Sequence, residues 1–165
     1  MKTKLIVTGA LMAALTTIAT IMVRIPTPLK GYINLGDCVV LICALLLPIQ
    51  YGVLAAGIGS ALADVFSGYI IYAPATFLIK GIMVVIVYYM CKYKRANINS
   101  FSMLVISGIL AELFMVLGYY LYEGVLYGFI PSAVNIPSNL LQGVVGVIAF
   151  PVLAKILKKI NLFNF

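Results

Sequence analysis

Apolar residues run along this chain in long blocks, neither alternating at the period of a strand nor tracing one stripe of a surface helix. Residues 5–23 and 101–121 are nearly continuous apolar stretches, and a helix needs roughly 20 such residues to cross a bilayer core. Residues 74–91 and 134–156 repeat the pattern. Residues 38–65 are apolar throughout but interrupted at Pro48 and Gly52. Proline removes a backbone donor and disfavours helix at the residue before it. This segment therefore reads either as one kinked helix or as two helices joined at residues 48–52.

The basic residues choose between the two. Lys2 and Lys4 precede the first block, Lys92, Lys94 and Arg95 form an island, and Lys155, Lys158 and Lys159 follow the last block. Lysine and arginine gather at the cytoplasmic ends of membrane spans. Five spans would place the island and the last cluster on the side opposite Lys2 and Lys4, whereas six place all three together. The pattern predicts one all-α integral membrane domain over residues 1–165, with six transmembrane helices and both termini cytoplasmic. The first block could be a cleaved signal, but no convincing small-residue cleavage site precedes Arg24, so it reads as a retained span.

Composition agrees with a bilayer location. The chain is 64% hydrophobic and 9% charged, against roughly 45–50% and about 25% in soluble domains. The net charge of +7 borders the spans and forms no phosphate-binding face, so no nucleic-acid partner is expected. Cys38, Cys43 and Cys91 lack metal-ligand spacing, and there is no histidine, which leaves no expected metal or cofactor. No phosphate loop, HExxH or GxSxG occurs, so the chain reads as no enzyme and no ATPase in its own right.

Polar residues inside apolar spans carry the functional signal, because an ionisable group at a helix centre costs roughly 2.5–3.5 kcal/mol to insert. Glu112 lies near the middle of the fifth span and Lys80 in the fourth. They read either as a structural ion pair with each other or as groups facing a ligand. Asn135, Asn139 and Gln142 recur at i, i+4 and i+7, which places three amides on one helical face. They read as interhelical glue or as the wall of a polar pocket suited to a heteroaromatic ring. Pro137 beside them can free carbonyls that need partners. Asp37 reads as a helix N-cap, with Tyr32 and Asn34 at the mouth of a pocket. Tyr32, Tyr69, Tyr72, Tyr122 and Tyr127 fall in the expected outer loops, as an interfacial belt or as stacking groups. Small residues at four-residue spacing, Ala10 with Ala14 and Gly52 with Ala56 and Ser60, let helices approach closely.

These features resemble the S components of energy-coupling factor (ECF) transporters, six-helix vitamin-binding membrane subunits of bacteria. The resemblance spans nearly the whole chain. It is carried by Tyr32-Ile-Asn-Leu-Gly-Asp37, Gly57-Ile-Gly-Ser-Ala-Leu-Ala-Asp64, Tyr72-Ala-Pro-Ala-Thr-Phe-Leu-Ile-Lys80-Gly81, Glu112 with Gly118-Tyr-Tyr and Glu123, and Asn139-Leu-Leu-Gln142-Gly143. Within that group the chain is most similar to the branch associated with hydroxymethylpyrimidine or pyridoxine-type substrates. The resemblance implies a multi-pass protein of the bacterial cell membrane that captures a vitamin-type substrate from outside. It implies docking, through the Ala10 and Ala14 face, on a transmembrane coupling subunit carried by two cytoplasmic ATPase subunits. It further implies substrate contacts from Asn34, Tyr72, Lys80, Glu112, Asn135, Asn139 and Gln142. A stand-alone ion- or proton-coupled carrier using Glu112 and Lys80 is the competing expectation.

Overall fold

The computed structural model describes residues 2–27, 32–93 and 100–159. Lys30 and Gly31 of the first loop, together with Lys94 and Arg95 of the basic island, lie outside the described residues, as does the side chain of Lys92. The chain order is α1 (Lys2–Met22), β1 (Ile25–Pro26), β2 (Tyr32–Ile33), α2 (Gly36–Leu46), α3 (Ile49–Phe66), α4 (Ala73–Tyr88), α5 (Phe101–Tyr127), the single turn α6 (Phe129–Ser132) and α7 (Ile136–Lys159). Six principal helices therefore build the fold. Among the described residues, five helical segments are long and apolar enough to cross a membrane, and α2 is the shorter apolar sixth.

The ambiguous segment resolves as two helices, with the break at Leu47 and Pro48. Gly52 lies inside α3, so it is no part of the joint. A side chain there would crowd the Cys43 carbonyl at 3.0 Å and Val84 at 3.2 Å, which explains a glycine at this close crossing. At 11 residues and about 1.5 Å of rise each, α2 spans about half of a bilayer core. Nearly every one of its residues is buried, as expected for a helix apolar all round. It is the central helix, packed against α1, α3, α4 and α7.

Around it, α1 and α3 meet through small residues. A side chain on Gly59 would strike the Ala13 carbonyl at 2.5 Å, and the Thr17 hydroxyl donates to the Gly59 carbonyl at 2.8 Å. Pro137, expected to free carbonyls, sits in the first turn of α7, where the missing N–H has no intrahelical partner to lose. β1 and β2 pair antiparallel, Ile25 opposite Ile33 and Pro26 opposite Tyr32. This two-stranded ribbon turns the chain over one end of the bundle and aims Tyr32 and Asn34 at the helix ends.

Candidate functional site: a tyrosine-walled cavity at one end of the bundle

At the ribbon end of the bundle lies a narrow polar cleft that opens to solvent. The ribbon and its flanks supply Thr27, Tyr32 and Asn34. The end of α3 and the turn after it supply Asp64 and Tyr69, α4 and its lead-in supply Tyr72 and Thr76, α5 supplies Tyr119 and Glu123, and α7 supplies Asn139 and Gln142. Phenol rings pass across the rim in sequence. Tyr32 and Tyr69 stand 5.0 Å apart between centroids, Tyr69 and Tyr72 6.4 Å, and Tyr72 and Tyr122 5.8 Å. Such rings offer flat apolar faces with polar tips, which suits a planar polar ligand.

The polar lining is held from behind. The Tyr32 hydroxyl donates to Asp64 Oδ1 at 2.6 Å. Burial first, then the charge of Asp64, pushes the Tyr32 phenol above its usual value, so it remains a donor across the physiological range. Tyr72 donates to Glu123 at 3.3 Å, and the Asn135 amide donates to both Glu123 oxygens at 3.0 Å. Thr76 and Tyr119 share a hydrogen bond of 3.1 Å. Gln142 joins two elements. Its Oε1 accepts from the Asn34 backbone and side chain at 2.9 and 3.2 Å, while its Nε2 donates to Asp37 Oδ2 at 2.6 Å.

Beneath that layer, Lys80 forms an ion pair with Asp37, both almost wholly buried, and Lys80 Nζ lies 5.5 Å from the centre of the Tyr119 ring. This corrects two expectations. Asp37 is not an N-cap: α2 begins after Leu35, which makes no side-chain cap bond, and the Asp37 carboxylate turns inward. Lys80 does not pair with Glu112, because Asp37 projects from the first turn of α2 directly at it. Glu112 packs on α7, where a side chain at Gly146 would collide with Oε1. Its carboxyl has no hydrogen-bond partner among the described residues.

Of the residues picked from sequence, Asn34, Tyr72, Asn139 and Gln142 line the cavity. Lys80 and Asn135 stand behind the lining, Asn135 orienting Glu123, while Glu112 lines a separate apolar groove between α5 and α7. The sequence reading missed Asp64, Tyr119, Thr76 and Glu123 as lining. The chain has only four acidic residues, and all four are at most 5% exposed. That scarcity was the available signal. Ala10 and Ala14 are exposed along a separate groove between α1 and α3, floored by Gly9, Ala13 and Thr17 and walled by Tyr51, Leu54 and Ile58.

Comparisons with known proteins bear on this architecture. An uncharacterized protein in the gap 3′ region of Pyrococcus woesei is 38% identical over 144 residues, covering 87% of this chain and 94% of the relative. A solved structure described as "Structure and mechanism of the S component of a bacterial ECF transporter" superposes with a TM-score of 0.75. It covers 97% of this chain and 98% of that one at 23% identity, which establishes the shared fold. The sequence profile described as "ECF-type riboflavin transporter, S component" matches residues 1–159. With this shared fold and a profile match over almost its full length, the chain belongs to the S-component family of ECF-type transporters.

Proposed function

We propose that the tyrosine-walled cavity captures a small heteroaromatic vitamin or vitamin precursor from the exterior. The loaded subunit then delivers it after docking on a transmembrane coupling subunit driven by two cytoplasmic ATPases. The observation that carries the reading is the cavity itself. Stacking surfaces, three amides and two carboxyl groups converge at one end of an otherwise apolar bundle. Pockets of this kind bind planar ligands through apolar faces and a few placed polar groups. Asn34, Tyr72, Asn139 and Gln142 contact the ligand, while Lys80 and Asn135 fix groups that do, through Asp37 and Glu123.

The matching profile's description names riboflavin, whereas the motifs of this chain resemble the hydroxymethylpyrimidine or pyridoxine branch. Isothermal titration of the purified protein with riboflavin, pyridoxine and hydroxymethylpyrimidine separates these. One of the three binds tightly, and silence from all three would sink the vitamin assignment. Liposomes containing this chain alone take up no ligand under an ion gradient. Gradient-driven uptake by the isolated chain would establish the carrier reading in its place.

A further inference from the structure

We propose that Glu112 is a proton-binding site, holding a proton that it donates to Asp37, so that Lys80, Asp37 and Glu112 form a charge-neutral cluster joining α4, α2 and α5. The Glu112 side chain leaves α5 and crosses to α7 over Gly143 and Gly146. A side chain on Gly143 would stand 3.1 Å from Glu112 Cβ. One on Gly146 would collide with Glu112 Oε1 and stand 3.5 Å from Asp37 Cβ. The two carboxyl groups therefore meet at the same gap in α7, within hydrogen-bonding reach of each other. Glu112 is only 3% exposed, and neither of its oxygens meets a donor among the described residues.

Ionised carboxylates only accept hydrogen bonds, so two of them facing each other have nothing to share. A protonated carboxyl gains one O–H donor. Asp37, which already accepts from Lys80 and Gln142, is the acceptor in front of it. The charge count agrees. Asp37 and Cys38 from α2 and Lys80 from α4 are the titratable groups acting on Glu112. α7 brings no charged side chain before Lys155, and the outer side is the apolar groove of Ile109, Leu113, Val144 and Val147. One ammonium offsets one carboxylate, and a second carboxylate in this dry interior would be uncompensated. Close carboxyl pairs share a single proton for that reason. The proton site stands independently of what the cleft binds.

Infrared spectra of the full chain in detergent read the proton directly. Near neutral pH the wild type is expected to show the carbonyl stretch of a protonated carboxylic acid. A component of that band is expected to vanish in Glu112→Gln and to persist in Asp64→Asn and Glu123→Gln, which alter acids outside the cluster. If the glutamine variant does not fold, Glu112→Met serves the same comparison. Thermal unfolding gives a second reading. The fold keeps a proton that an unfolded glutamate releases at neutral pH. The unfolding constant of the wild type is therefore expected to rise by about 10-fold per pH unit relative to Glu112→Gln between about pH 6 and about pH 8. A carboxylic band that the Glu112 variants leave unchanged, or parallel pH profiles, overturns the proposal. Stabilisation by sodium over choline that Glu112→Gln abolishes would give the site to a metal cation and overturn it as well.

Discussion

Asp37 shows how a single residue can be legible as important and illegible in role. At the start of an apolar helix, a carboxylate reads as a cap, because local sequence carries no record of what lies 43 residues away. In the fold its oxygens take Lys80 and Gln142, fastening α2 to α4 and α7 directly under the cavity. Removing one partner of a buried pair strands the other charge, at a cost of about 3–5 kcal/mol, while removing both is far milder. Lys80→Met and Asp37→Asn are therefore each expected to lower the melting temperature in detergent sharply, and the double variant to recover most of the loss. Additive losses would show that the pair is not coupled. Gln142→Ala is expected to destabilise by about 1–3 kcal/mol through the Asn34 N–H it leaves buried and unpaired. It should also weaken ligand binding, measured by titration alongside the melt.

At the scale of elements, the long helices were legible because hydropathy over about 20 residues is a strong signal. The shortness of α2 was not. Residues 38–47 are apolar whether the helix crosses lipid or is wrapped by protein, so composition alone could not distinguish a half-length core helix from a span. The small-residue stripes divided in a way that sequence spacing also hides. Gly52, Ala56 and Ser60 are buried within the bundle, and Gly9 is covered beside Tyr51, while Ala10 and Ala14 one position on remain exposed. An apolar groove floored by methyl groups admits another helix backbone closely, and a bulky ring fills it. Ala14→Trp is expected to abolish vitamin uptake in cells that carry the coupling subunits while leaving the titrated affinity of the purified protein within about 2-fold, the ordinary range for a change that touches no pocket residue. Loss of affinity together with uptake would place α1 in the binding site instead of the docking face.

Across the whole molecule, charge is sorted by depth and, among the described residues apart from Arg24 at the ribbon end, by end. Every acid is buried, and three of the four belong to the cavity or its floor, whereas Lys2, Lys4, Lys155, Lys158 and Lys159 are all removed from it. α1 runs toward the cavity and α7 runs away from it, so Lys2 and Lys159 lie at the far ends of their helices from the tyrosine rim. That arrangement follows from the even number of principal helices, which sequence reached only through the basic clusters. If the positive-inside bias governs insertion, the cavity opens to the exterior and both ends of the chain face the cytoplasm. In a background with Cys38, Cys43 and Cys91 replaced by alanine, Lys4→Cys and Lys158→Cys are expected to react with an impermeant maleimide only after the membrane is opened. Ile130→Cys, on the highly exposed turn between α5 and α7, is expected to react in intact cells. Labelling of the two lysine positions from opposite sides would break the six-helix arrangement. Labelling of both from outside would turn the cavity toward the cytoplasm, where it could not capture an external ligand.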